Sequence, residues 1–341
     1  MLTERRVPFT SGDGFRCHLV QVRGEKPATK GPVILVHGAG VRGSIFRAPV
    51  PTTLVSYLVD HGYDVWLENW RASIDLPPNP WTLDQAALYD HPAAVKAVVK
   101  ETGADHVKAV IHCQGSTSFM MSAVAGLVPQ VTTIISNAVS LHPVVPVASA
   151  IKIRLLLPFV RLITPYLNPQ WGLHAPTLPA KLISGLVRLT HHECDNEVCK
   201  QVSFTYGAGF PALWSHANLS AETHEWLKHE FAHVPIRFFE QMARCISKGH
   251  LVAVEGKKEL PADFVARPPQ TEARIAFFAG EDNRCFLPEA QRRSFAYVDG
   301  LRKNYHKLYV LPKYGHLDVF MGQYAAKNVF PLMLAELDQP T

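Results

Sequence analysis

Charge and cysteine are both scarce in this chain. Charged residues make up 18% of its 341 positions, while 47% are hydrophobic. That balance excludes a solvated, disordered polymer and leaves ample apolar surface for a core. The six cysteines, at positions 17, 113, 194, 199, 245 and 285, are too sparse for a disulfide framework. A reducing, cytoplasmic setting is expected, in which a thiol nucleophile survives. Their spacing also lacks the paired short steps of a zinc ribbon. The group His191-His192-Glu193-Cys194 with Cys199 has suitable ligand types but no standard metal pattern, so neither metal nor cofactor is expected. Basic residues form no run of five, and the net charge is only +5, so no nucleic-acid partner is implied. The first ten residues carry Glu4, Arg5 and Arg6 and have no apolar core of a signal peptide. The longest uncharged stretch, from Val128 to Ile151, is broken by Pro129, Pro143 and Pro146, so stable membrane insertion is not expected. No internal repeat or low-complexity tract is present.

What remains is a regular alternation. Ser11-Gly12-Asp13-Gly14 is turn chemistry, and Phe15 to Val22 alternates in polarity, so the chain opens as a hairpin. Apolar, β-branched runs then predict strands at Pro32 to Val36, Tyr63 to Leu67, His106 to His112 and Val131 to Ser136. Helical spacing predicts intervening helices at Thr52 to His61, Leu83 to Lys100 and Gly115 to Leu127. From His142 to Arg267 there are helical pieces and prolines but no convincing core strand. The alternation resumes with a strand at Arg274 to Ala279, a helix at Pro288 to Val298, a strand at Lys307 to Leu311 and a closing helix at Ala325 to Leu337. This order predicts an α/β fold with a mostly parallel central sheet covered by helices on both faces. The domain reading is a core made of residues 1–141 and 268–341, interrupted by a helical cap at 142–267.

Four segments fall where strands hand over to loops. His112-Cys113-Gln114-Gly115-Ser116 places Cys113 on a strand-to-helix turn. There a helix N-terminus favours thiolate, and the Gln114 N–H can face a developing oxyanion. His37-Gly38-Ala39-Gly40 ends an early strand and can aim a second N–H, that of Ala39, at the same point. His316 follows the last strand, where a general base belongs. Asp282, after the penultimate strand, is the expected orienting acid, with Glu281 and Asp318 as alternatives. The order of nucleophile, acid and histidine along the chain is more specific than any one piece.

On these motifs the chain resembles the α/β-hydrolase superfamily over nearly its whole length. Asp64-Val65-Trp66-Leu67-Glu68-Asn69-Trp70-Arg71 and His316-Leu317-Asp318 look like stretches of acid lipases. More faintly, the chain resembles hydrolase modules joined to glucose–methanol–choline oxidoreductases. Two departures stand out. Ile111 occupies the place of the usual elbow glycine two before the nucleophile, and Cys113 replaces the usual serine. Cysteine holds that place in dienelactone hydrolases and polyhydroxyalkanoate synthases.

The resemblance implies ester, thioester or lactone cleavage through an acyl-thioester on Cys113. Transfer or cyclisation onto a non-water acceptor is an alternative, and a non-catalytic binding protein on the same fold is another. In the cap, Ala148 to Leu167 is apolar with Lys152, Arg154 and Arg161 interspersed, and Phe204, Tyr206, Phe210, Trp214 and Trp226 follow. This suits a small lipophilic acyl substrate. Glu68, Asn69, Trp70 and Arg71 are either pocket lining or a structural turn. A homo-oligomer is compatible with the sequence, which leaves the acyl group, leaving group and acceptor open.

Overall fold

A computed structural model describes residues 2–192, 194–209 and 211–340. The main sheet has eight strands: β1 (Thr3–Thr10), β2 (Arg16–Arg23), β3 (Pro32–Val36), β4 (Asp64–Asn69), β5 (Val107–His112), β6 (Val131–Asn137), β7 (Arg274–Gly280) and β8 (Lys307–Leu311). Their order is β1-β2-β4-β3-β5-β6-β7-β8. β1 and β2 form the opening hairpin, and β2 runs antiparallel to β4. All later pairings are parallel.

Burial explains the strand compositions. β3 and β4 are buried at every residue, as befits parallel strands covered on both faces. β1, at the sheet edge, is mostly exposed and carries Glu4, Arg5 and Arg6, charges that discourage further strand pairing. Ile111 pairs with Val36 on one side and Ser136 on the other and is fully buried. The large side chain at this elbow position is therefore absorbed into the sheet's own core.

The helices of the body are α1 (Leu54–Asp60), α2 (His91–Thr102) and α3 (Cys113–Val124). α1 opens with a reciprocal capping box between Thr53 and Ser56. Every residue of α3 is buried. Its hydroxyls bond inward, Ser118 Oγ to the Gln114 carbonyl at 2.9 Å and Ser122 Oγ to the Ala87 carbonyl at 2.6 Å. The single helix expected from Leu83 to Lys100 is interrupted by a wide π turn at Ala86–Asp90. Pro92, in the first turn of α2, has no N–H for the preceding turn, which is where the ladder changes pitch.

Between β6 and β7 the described chain adds no strand to the main sheet. It supplies α4 (Val147–Ile163), α5 (Leu178–Thr190), α6 (Glu197–Tyr206) and α7 (Ile236–Lys248), with a two-residue ladder joining Tyr166–Leu167 to Val234–Pro235. Trp171, Ala180 and Ile183 form a small core of their own in this region. α7 turns Ile236, Phe238, Phe239, Met242 and Cys245 inward, and Gly249 closes it in the left-handed conformation at φ 78°. The chain ends with α8 (Glu289–Leu301), a short turn at Ala325–Asn328 and α9 (Phe330–Leu337). The closing helix is thus two pieces, divided at Val329, whose φ is −117°. Among the described residues no helix is long and apolar enough to cross a membrane.

Candidate active site

Cys113 begins α3 directly at the end of β5, two residues before the helix start at Gly115 that the sequence predicts. Its φ is +54°, a left-handed conformation that costs a non-glycine residue about 1–3 kcal/mol and persists only where the surroundings enforce it. Gly115 makes the turn feasible. A Cβ there would lie 2.2 Å from the His37 carbonyl oxygen, so any larger residue would push α3 away from the end of β3. The loop after β3 is also close, because a Cβ on Gly38 would lie 2.9 Å from the Cys113 Cβ and 3.3 Å from its sulfur.

His316 is buried on the loop after β8. Its backbone N–H donates to the Leu213 carbonyl at 3.0 Å, and that of Leu317 donates to the same oxygen at 2.8 Å. Cys113, His316 and His112 bring one ligand-type atom each to within 4.8 Å of one another. Among the described residues Nε2 of His316 bonds no other nitrogen or oxygen, and it is the ring nitrogen left for the Cys113 sulfur. Its other ring nitrogen, Nδ1, accepts from Asn283 Nδ2 at 3.0 Å. The orientation of that amide is fixed, since Asn283 Oδ1 accepts from the backbone N–H groups of Cys285 and Phe286 at 2.9 and 3.1 Å.

The partner of His316 is therefore Asn283, not the expected Asp282. Asp282 and Glu281 are exposed. Their backbone N–H groups donate to the Tyr314 and Leu311 carbonyls at 2.8 and 2.9 Å, which locks the turn and points the next residue, Asn283, inward. Asp318 is buried, and its carboxylate is engaged by groups other than the imidazole. It accepts from the Gly315 N–H at 2.9 Å and from Asn218 Nδ2 at 2.6 Å, and burial raises its pKa. Its role is to hold the histidine loop.

Ala39 lines the same small cavity as Gly38, Cys113, His316, Tyr206 and Cys285, and its carbonyl accepts from Tyr206 Oη at 3.2 Å. The Gln114 backbone N–H meets the Cys113 sulfur. The Gln114 side chain borders an adjoining cavity with Lys152, Phe238, Phe239, Met242 and Phe286. Tyr206 and Cys285 line both spaces.

Burial opposes ionisation of Cys113, yet its pKa lies well below the ordinary thiol range. Hydrogen bonding from Cys285, the adjacent His316 ring and the Gln114 N–H outweigh the burial. Burial, with the charge of Cys113, drives Cys285 the other way, so it remains a thiol donor. His112 is kept well below its usual pKa by burial and by the neighbouring His316 and His37 rings. It accepts from Asn137 Nδ2 at 2.9 Å and packs its ring 4.6 Å from that of His316. Burial also lowers Lys152 to about 8, and its ammonium donates to the carbonyls of Phe204 and Gly207.

The end of β4 and the two residues after it are structural. Glu68 pairs with His91 Nδ1 at 2.8 Å, Asn69 Oδ1 accepts from the Gly43 N–H at 3.0 Å, and Trp70 Nε1 donates to the His37 carbonyl at 2.9 Å. Arg71 binds Asp90 and Asp13. Among the cap aromatics, Tyr206 reaches the site, Trp214 is buried against Phe231 with ring centroids 5.9 Å apart, and Phe210 lies outside the described residues. Asn283, His112, Asn137 and Cys285 had no separate signal in the sequence. Asn283 follows Asp282 directly, and a four-residue turn does not reveal which side chain faces inward.

Comparison with known proteins bears on the fold and family. Lipase member K of Homo sapiens is 23% identical over 335 residues, covering 92% of this chain and 81% of that protein. The gastric triacylglycerol lipase of Rattus norvegicus is 34% identical over 101 residues, about a quarter of each chain (26% and 26%). Among solved structures, an epoxide hydrolase from Vigna radiata superposes with a TM-score of 0.58 at 13% identity, covering 98% of this chain and 97% of that one, a likeness of fold. The α/β hydrolase fold model matches residues 31–323, and the chain belongs to that family.

Proposed function

We propose that the protein is a cysteine-dependent acyl-transfer enzyme that cleaves an ester-type bond of a lipophilic substrate. The observation that carries this reading is the left-handed Cys113 at the elbow, its thiol acidified and facing His316 in one cavity. In the proposed reaction the Cys113 thiolate attacks the acyl carbon and forms a C–S bond. Negative charge builds on the carbonyl oxygen, where the Ala39 and Gln114 N–H groups would receive it. Collapse breaks the bond to the leaving group and leaves an acyl-thioester on Cys113. Water then attacks this thioester, releasing the acid and regenerating the thiol.

The third residue refines the reading. Asn283 presents an N–H to His316 Nδ1, where the usual carboxylate would supply negative charge beside an imidazolium. The neutral ring then carries its proton on Nε2, the nitrogen left for Cys113. This pattern supports a leaving group that needs little protonation. A thioester releases such a group, whereas an alkyl ester expels a strongly basic alkoxide. The lipases among the relatives support a lipophilic acyl chain, as do the apolar residues Ile153, Phe238, Phe239 and Met242 around the adjoining cavity. Lys152 in that lining suits an anionic group on the substrate.

The test is intact-mass and peptide analysis after brief exposure to a medium-chain acyl thioester. An acyl adduct is expected on the Cys113 peptide and none in Cys113→Ala. Because the folded thiol ionises below its ordinary range, iodoacetamide labelling of Cys113 should persist at mildly acidic pH, where an ordinary thiol is protonated and slow. Undiminished thioester turnover in Cys113→Ala would sink the proposal.

A further inference from the structure

Outside the active site, four metal-type ligands converge in the cap. Cys194 precedes α6, Cys199 lies in its first turn, His216 is on a short turn further along, and His224 is in the helical turn Ala221–Trp226. Cys194 Sγ and His224 Nε2 are 3.4 Å apart, and Cys199 Sγ and His216 Nε2 are 3.5 Å apart. All four ligand atoms fall within 4.8 Å of one another. The two imidazole rings are 4.8 Å apart, centre to centre.

We propose that Cys194, Cys199, His216 and His224 form a structural zinc site that fastens the cap. Tetrahedral zinc takes bonds of about 2.3 Å to sulfur and about 2.0 Å to nitrogen, which sets each sulfur–nitrogen edge at about 3.5 Å. The two observed edges are within about 0.2 Å of that value. Two thiolates neutralise the dication, so the filled site carries no net charge, which suits half-buried surroundings. Loading requires both thiols to lose their protons to solvent.

The backbone around the ligands is already organised. The Asn196 N–H donates to Cys194 Sγ at 3.3 Å. The Asn196 side chain accepts from the N–H groups of Val198 and Cys199 and donates to the His224 carbonyl at 2.8 Å. One asparagine thus fixes three of the ligand-bearing segments. The sequence alone predicts no metal because the group from His191 to Cys194 with Cys199 has no standard ligand spacing; His216 and His224 lie farther along the chain, and folding brings them to the two cysteines. His191 and His192 are not in the set, and Glu193 lies outside the described residues.

The site would brace the catalytic machinery from behind. The helix carrying Cys199 ends at Tyr206, which bonds the Ala39 carbonyl. The turn carrying His216 is preceded by Ser215, whose N–H donates to Asp318, and ends at Asn218, which bonds both Asp318 and the Lys313 carbonyl. Both attachments lead to the loops holding Ala39 and His316.

The full-length chain, purified without a metal-affinity tag, should retain about one zinc per molecule after gel filtration, measured by elemental analysis. Replacing zinc with Co2+ should give the intense red-region absorption of tetrahedral cobalt, together with near-ultraviolet thiolate charge transfer. Both signals should vanish in the Cys194→Ser/Cys199→Ser variant and weaken in His224→Gln, while Cys113→Ala leaves them unchanged. The wild-type spectrum alone decides the matter if the cysteine variant does not fold. A six-coordinate cobalt spectrum, no retained zinc after incubation with zinc chloride, or a Cys194–Cys199 disulfide in freshly purified protein would overturn the proposal. None of these readouts depends on acyl chemistry, so they stand apart from the test of Cys113.

Discussion

Asn283 separates this site from a carboxylate-assisted triad by a single atom. Its oxygen is committed to two backbone N–H groups, so the amide cannot turn to accept from His316 without abandoning both. Asn283→Asp keeps an oxygen for those groups and places a second one against Nδ1. A carboxylate there stabilises an imidazolium and lets His316 deliver a proton to an alkoxide leaving group. We expect Asn283→Asp to raise turnover of an alkyl ester relative to the matching thioester by roughly tenfold or more. Asn283→Ala removes both backbone contacts and the ring contact, and should lower turnover of both substrates. Paired kcat/KM measurements on ester and thioester check this. An unchanged ester-to-thioester ratio in Asn283→Asp would mean that proton delivery through His316 does not limit ester cleavage.

Elements were more legible than the contacts between them. β3 falls where its apolar run begins and ends, because a strand buried on both faces leaves an uninterrupted signature. Cys113, His316 and Ala39 were legible for a related reason: each follows a strand, and parallel strands present their ends to one edge. The inward member of the Asp282 turn was not, since it depends on carbonyl bonds to Tyr314 and Leu311 from elsewhere in the chain. Two cap helices show a further feature that hydrophobic content alone does not place. α4 exposes Val147, Leu155, Phe159 and Leu162, and α5 exposes Leu178, Leu182, Leu186 and Leu189. Neither helix contains an acidic residue, while Arg154, Arg161, Lys181 and Arg188 lie on them. A basic helix with an outward apolar face suits an aggregated lipid interface, anionic ones above all. Leu155→Asp with Phe159→Asp should cut hydrolysis of an emulsified long-chain substrate by about tenfold or more, while a soluble short-chain substrate is processed as before. Equal losses on both would place these side chains in folding or in the cavity instead.

At the scale of the whole molecule, the opening hairpin is tied to the body through a buried charge cluster just past the carboxyl end of β4. Arg71, 3% exposed, donates to Asp90 at 2.7 and 2.8 Å and to Asp13 at 2.8 and 2.9 Å. Ser11 adds a hydroxyl bond to Asp90 at 2.6 Å. Three distant segments meet here: the hairpin turn, the end of β4 and the start of α2. Burial disfavours the Arg71 charge, but its two carboxylate partners more than compensate and raise its pKa. Such a cluster is worth little against a well-packed apolar replacement, yet breaking it on one side leaves Asp90 fully buried and unpaired. Arg71→Ala should therefore cost about 3–5 kcal/mol in urea unfolding, far more than removal of a surface ion pair. Adding Asp90→Asn to Arg71→Ala removes the orphaned charge and should recover part of that loss, giving a double variant less damaged than the sum of its single changes. A loss below about 1 kcal/mol for Arg71→Ala would mean that water reaches Asp90 and that the hairpin is held by its strand pairing alone.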